Sequence, residues 1–237
     1  MRHAVLLLLF VCIGGFAHAQ LNLDKLKKTL KGGGMPTTEE VAAGLKEALT
    51  NGASKGSDLV SQADGYFKNA EIKIPFPPEV KQVETKLRQV GMGAQVDKFV
   101  LALNRGAEEA AKEAKPIFVS AIKQMTVQDA WSILKGEDDA ATQYLDKTTS
   151  PELTTRFKPI IQSALQKVSA TKYYADLVNA YNKLPMVQKV NPNLDDYATE
   201  KAIDGLFVMV AKEEKNIRDD PGARTTDLLK KVFGAQK

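Results

Sequence analysis

The chain has 237 residues, with 33 Lys and Arg against 29 Asp and Glu, and a formal net charge of +4. An excess so slight and so mixed does not mark a nucleic-acid-binding protein. A length of this order suits one large domain or two small ones, and one is expected because no long polar linker divides the sequence.

Residues 1–19 read as a secretory signal peptide. Arg2 supplies a short positive start, Ala4 to Phe16 is an uncharged apolar run, and Ala17-His18-Ala19 presents small residues at the two positions a signal peptidase inspects. The apolar run is short of the ~20 residues that span a membrane. Leu9-Phe10-Val11, ahead of Cys12, lacks the small residue that lipoprotein processing needs. Cleavage would remove Cys12, His3 and His18 together, so the mature chain expected from Gln20 has no Cys and no His. Taking nineteen residues from 237 leaves 218, and losing Arg2 leaves a net charge of +3. Without thiols no disulfide forms, and stability rests on packing. Zinc, haem and iron–sulfur centres lose their usual ligands, and Cys nucleophiles and His-based triads are excluded. No cofactor and no metal site are expected; a metal bound here would be a hard cation on oxygen. No later apolar run is long enough for a transmembrane span, and the leader makes the expected location periplasmic.

Residues 20–35 read as a flexible N-terminal arm. Within it, residues 21–31 have helical spacing, with Leu23, Leu26 and Leu30 on one side and Lys25, Lys28 and Lys31 on the other. This pattern suits weak contact with an anionic membrane surface or docking on the protein itself. Gly32-Gly33-Gly34 is a tether, since no Gly-Lys-Ser/Thr follows to make a phosphate loop.

Residues 36–237 are expected to form an all-α domain of about nine or ten helices. Thr37 and Glu40 make a capping box, followed by Val41, Leu45, Ala48 and Leu49 on one face. The pattern continues through Gly52, Gly56, Leu59 and Ala63, where small residues would admit a neighbouring helix, and fails near Gly65. One extended segment, residues 71–77, crosses the helices. Its two prolines forbid helix, and Ile72, Ile74 and Phe76 should point inward. Helices then follow over 78–90, stopped by Gly91, and 94–114, with Phe99, Leu103, Ala107 and Ala110 on the apolar side. Pro116 begins a short helix. Thr126 caps a stripe of Val127, Ala130, Trp131 and Leu134 closed by Gly136. Asp138 starts another helix, with Ala141, Tyr144 and Leu145, and Ser150-Pro151 reads as the cap and first position of the next, kinked by Pro159. Residues 171–183, Leu194 to Arg218 and a last helix from Pro221 to near Gly234 complete the series. Tyr173, Tyr174 and Tyr181 should pack between helices with their hydroxyls at the rim.

Several short motifs recur together in one family. They are IKIPFP at 72–77, Asn104-Arg105 with Glu108, Met125-Thr126 with Asp129-Ala130, and Ala140-Ala141-Thr142 with Tyr144. Asp204-Gly205-Leu206-Phe207, Glu213-Glu214 with Ile217-Arg218, Pro221 with Arg224, and Val232-Phe233-Gly234 complete the set. On these the chain resembles the exported bacterial family called domain of unknown function 4197, over roughly residues 38–234. The resemblance implies a Gram-negative envelope protein and implies no activity.

The candidate polar site or network comprises Asn104, Arg105, Glu108, Glu213, Glu214, Arg218 and Arg224. On a wheel begun at Leu194, Glu213 points along the middle of the apolar stripe. An ionised carboxylate there must be paired. The favoured reading is a structural salt bridge to Arg105, Arg218 or Arg224; the alternative is a ligand or metal site. Arg105 and Glu109 are spaced to pair at the surface, or else Asn104, Arg105 and Glu108 face Glu213 across a polar cleft. Ser120 with Lys123 lacks the companion motifs of penicillin-binding enzymes. Asn191, Asn193 and Asp195 lack the Gly and Glu of a calcium loop. The favoured function is therefore a non-catalytic periplasmic binding or envelope-associated protein, its partner a small molecule, lipid or envelope protein. The alternative is an enzyme using carboxylate and Arg chemistry around Glu213, Glu108 and Arg105.

Overall fold

A computed structural model describes residues 37–183, 185–186 and 189–223, together with Asp227 and Lys230. The leader, the arm at 20–35, Arg224 and the end of the last helix lie outside the described residues. The described part is all-α: α1 Thr38–Val60, α2 Lys81–Gln89, α3 Gly93–Ala110, α4 Ala114–Gln124, α5 Val127–Lys135, α6 Ala140–Gln166, α7 Ala170–Tyr181 and α8 Leu194–Asp219. Single 3₁₀ turns lie at Pro78–Val80, Ala111–Glu113 and Pro221–Ala223.

The helices among the described residues are thus fewer than the nine or ten expected, chiefly because α6 runs unbroken through Pro151 and Pro159. A proline inside a helix removes a donor to the carbonyl four residues back. Pro151, Pro159, Lys147 and Thr155 are all exposed, so both prolines and the residues one turn before them sit on the solvent side of α6, where water can satisfy the carbonyls they orphan. Ser150, expected as a cap, instead hydrogen-bonds Asp146 one turn back. The buried positions of α6 recur every fourth residue, from Ala141, Leu145 and Thr149 to Phe157, Ile161 and Leu165. Four residues exceed one helical turn, so the stripe winds around the helix. That winding lets α6 pack against α8, α3 and α4 at different places.

Helix α1 begins at the expected capping box: Glu40 N–H donates to Thr37 Oγ1 at 3.2 Å, and Thr37 N–H to Glu40 Oε2 at 2.9 Å. Its small residues serve the expected close approach, and the neighbour is α8. A Cβ on Gly56 would lie 3.3 Å from the Val210 backbone, and one on Gly52 would lie 3.3 Å from Ile217 Cδ1. The helix ends at Val60, before Gly65, leaving Leu59 40% exposed rather than on the apolar face. Helix α2 ends as expected before Gly91, whose φ of +84° suits glycine. Helix α5 ends at Gly136 after a second box, Thr126 with Asp129.

Residues 71–77 include no strand, but Ile72, Ile74 and Phe76 are buried while Glu71, Lys73 and Pro75 are exposed, the expected alternation. Phe76 meets Phe99 of α3 with ring centroids 4.9 Å apart. Tyr174 is buried as expected, whereas Tyr173 is 69% exposed because it falls on the outer side of α7.

Candidate functional site

The polar residues singled out in the sequence fall into two clusters. The first joins α3 to the connection between α1 and α2. Asn104, fully buried, takes the place of a strand partner for the extended segment. Ile74 N–H donates to its Oδ1 at 2.8 Å, and its Nδ2 donates to Ile74 O at 2.8 Å and to Val100 O at 2.7 Å. One side-chain amide thereby satisfies both backbone groups of the most buried residue in a segment that has no sheet to join.

Glu108 is also buried, one turn further along α3. Its Oε1 accepts from the backbone N–H groups of Tyr66 and Phe67, each at 3.1 Å, and its Oε2 from Arg105 Nη1. Arg105 then reaches Asp64 through Nη2 at 2.6 Å. Hydrogen bonds from Lys68 and Arg105 hold the Asp64 carboxyl below its ordinary range. Asp64 has φ 70°, in the left-handed region that turns the chain after α1. Glu108 and Asn104 therefore face inward. The expected pair of Arg105 with Glu109 is not formed: Glu109 binds Lys112 at 2.5 Å.

Asp64 and Tyr66 were not legible as members of this cluster. Tyr66 is fully buried, its hydroxyl donating to Ala202 O of α8 at 2.6 Å. Burial, aided by the charge of Glu108, pushes its phenol well above its ordinary value. Its ring occupies the space above Gly205, where a Cβ would lie 2.7 Å from Tyr66 Cε1. The one available signal was a Tyr-Phe pair just past Gly65 in an otherwise polar stretch.

The second cluster caps α6. Glu214 is 7% exposed and accepts five hydrogen bonds. Ala141 N–H reaches Oε1 at 3.0 Å, and Thr142 N–H and Oγ1 reach Oε2 at 2.8 Å each. Arg218 supplies Nε at 3.0 Å and Nη2 at 2.7 Å, and also donates to Ile133 O at 3.1 Å. A carboxylate at the first turn of α6 meets unpaired N–H groups and the positive end of the helix dipole.

Glu213 is therefore not the carboxylate in the core. Its stem lies over Gly52, and its carboxylate, on a side chain 12% exposed, makes a salt bridge with Lys55 Nζ at 2.8 Å. The Lys55 side chain is 58% exposed. The salt bridge expected for Glu213 is formed, but among the described residues its partner is Lys55 rather than Arg105 or Arg218. Nor does Glu213 face Asn104, Arg105 and Glu108 across a cleft. Tyr66 ties the first cluster to Ala202, and Glu213 lies eleven residues further along α8, a rise of ~16 Å. Among the described residues no hydrogen bond or ion pair joins the two clusters.

The profile of the family described as protein of unknown function DUF4197 matches residues 35–234. The chain belongs to the DUF4197 family. No curated protein and no solved structure matches it. In this DUF4197 protein the motifs behind the resemblance include the residues that make the buried polar contacts: Asn104, Arg105 and Glu108, Thr142, and Glu214 with Arg218.

Three further observations complete the description. A groove of about 690 Å³ lies between α3 and α6, with Leu101, Ala102, Ile160, Ala164 and Val168 among its lining. Among the described residues no group of three or more acidic, Cys or His side chains is placed to hold a metal ion. No helix there is long and apolar enough to cross a membrane.

Proposed function

We propose that this DUF4197 protein is exported, processed after Ala19, and acts in the periplasm as a non-catalytic binding or envelope-associated protein. One observation carries the reading: the two buried carboxylates of the candidate network, Glu108 and Glu214, are already consumed. Glu108 and Glu214 each accept backbone N–H groups that would otherwise be unpaired, plus an arginine. A general acid or nucleophile needs a free oxygen facing substrate. The enzyme reading needs Glu213, Glu108 and Arg105 around one space, and the distance along α8 gives it no support. The groove between α3 and α6 falls within the ~300–1,000 Å³ of small-molecule sites.

Native mass spectrometry of protein isolated from the periplasm of its own host tests this reading. The expected mass is that of the chain from Gln20, accompanied by a stoichiometric ligand or partner. A cytoplasmic, uncleaved chain would overturn export, and turnover of a substrate that Glu108→Gln abolishes without unfolding would establish the enzyme instead. The arm belongs to the same proposal, as a weak contact with anionic membrane surfaces. Sedimentation with anionic vesicles should fall on deleting residues 20–34, and equal sedimentation of both forms would contradict that part.

A further inference from the structure

The groove between α3 and α6 has an apolar floor and an unbalanced rim. Leu101 and Ile160 are only half-buried, and Val168 is 42% exposed. The helices meet at Gly106, where a Cβ would lie 3.2 Å from Ala164 Cβ. The charged lining residues are Lys98, Arg105 and Lys167 against Glu109. Two of the four are committed elsewhere: Arg105 to Asp64 and Glu108, and Glu109 to Lys112. Lys98 and Lys167 have no ion-pair partner among the described residues. An apolar trough edged by two uncommitted ammonium groups complements a molecule with one alkyl tail and one anionic head.

We propose that this groove binds a free long-chain carboxylate, the alkyl chain lying on Leu101, Ala102, Ile160, Ala164 and Val168 and the head group meeting Lys98 or Lys167. The inference rests on the binding-protein reading and gives it a ligand class. The lining stretch of α3, Lys98 to Glu109, rises ~16 Å, room for an extended alkyl chain. Other occupants fit less well. The arm at 21–31 carries Lys25, Lys27, Lys28 and Lys31 against Asp24. Residues 224–237 carry Arg224, Lys230, Lys231 and Lys237 against Asp227. Both segments therefore bring further positive charge to a positive rim. A bilayer surface is flat, whereas this site is concave.

The test uses the mature chain from Gln20, titrated calorimetrically with dodecanoate below its micelle concentration. Dodecanol and dodecyltrimethylammonium serve as neutral and cationic controls. One dodecanoate per chain is expected, with the cationic amphiphile at least tenfold weaker. Lys98→Glu with Lys167→Glu should weaken dodecanoate about tenfold or more and remove the preference for the anion. Ser163→Trp, at an exposed lining position, should block the trough. All three positions are exposed, so each variant should keep the wild-type thermal midpoint, showing that lost binding is not lost folding. No binding, equal binding of both charged amphiphiles, or dodecanoate binding untouched by both variants would overturn the proposal. So would a tenfold gain in affinity on deleting residues 20–34, which would make the arm the occupant. If dodecanoate fails while native mass spectrometry still finds a bound ligand, the ligand class is wrong and the binding-protein reading stands.

Discussion

Replacing Glu214 by alanine should be among the most damaging single changes to a surface-sparing region of this fold, and its size can be worked from the contacts. The substitution removes five hydrogen bonds, three of them from the first turn of α6 and two from Arg218. The N–H groups of Ala141 and Thr142 lose their cap, a loss of ~0.5–2 kcal/mol at an ordinary helix start. Arg218, whose side chain is 12% exposed, keeps Ile133 O but loses its carboxylate. Removing one member of a buried pair costs about 3–5 kcal/mol, and because the cap and the pair share one carboxylate their costs overlap rather than add. A loss of roughly 4 kcal/mol lowers the thermal midpoint of a domain this size by about 8–16 °C. Glu213→Ala is the control. Its own side chain is 12% exposed, as that of Arg218 is, but its partner Lys55 is 58% exposed and stays hydrated when left alone, so the loss should be smaller, about 1 kcal/mol. Thermal and urea unfolding of both variants measures the contrast. A larger loss at Glu213 than at Glu214 would refute the reasoning.

Asn104→Ala strips Ile74 of both its backbone partners and should cost at least ~2 kcal/mol in urea unfolding; a neutral result would mean that the extended segment is held by its apolar side chains alone. Gly205→Ala gains helix propensity but drives a methyl to 2.7 Å from the Tyr66 ring, so a net loss of about 1–3 kcal/mol is expected, and a stabilised variant would contradict the close packing. Tyr66 has a folded-state pKa raised by burial above an unfolded value near ~10. Its contribution is intact below that pH and is lost as pH rises toward the folded value. Tyr66→Phe should lose ~1 kcal/mol at neutral pH with the hydrogen bond to Ala202, and should lose less stability than wild type above pH ~10. Parallel alkaline curves for the two proteins would show that Tyr66 does not titrate on unfolding.

The fold was largely legible because most of its elements declare themselves locally. Leu103, Ala107 and Ala110 mark the inner side of α3 by spacing alone, and two prolines with alternating Ile72, Ile74 and Phe76 mark the extended segment. The length of α6 was not legible. Whether a proline starts a helix or is tolerated within one depends on which carbonyl it orphans, and Pro151 and Lys147 both belong to the exposed side of α6. The identity of the buried acid was not legible either. A helical wheel averages over α8, whereas burial near Glu213 and Glu214 is decided by who arrives there: Gly52 of α1 on one side, the first turn of α6 on the other. Asn104, Arg105 and Glu108 were recognisable as a group, but their partners at 64–74 lie some thirty to forty positions away in sequence, beyond the reach of local pattern.

The central claim is that Glu108, Asn104 and Glu214 are committed to holding backbone and do not form an open site. Amide hydrogen exchange of the mature protein tests it most directly, at Tyr66, Phe67, Ile74, Ala141 and Thr142, whose N–H groups donate to those three side chains. The account predicts that all five exchange only with global unfolding, and that Glu214→Gln speeds Ala141 and Thr142 while leaving Tyr66, Phe67 and Ile74 protected relative to global stability. Exchange of these amides through cheap local opening in the wild-type protein, well before the core of α3 and α6, would contradict it.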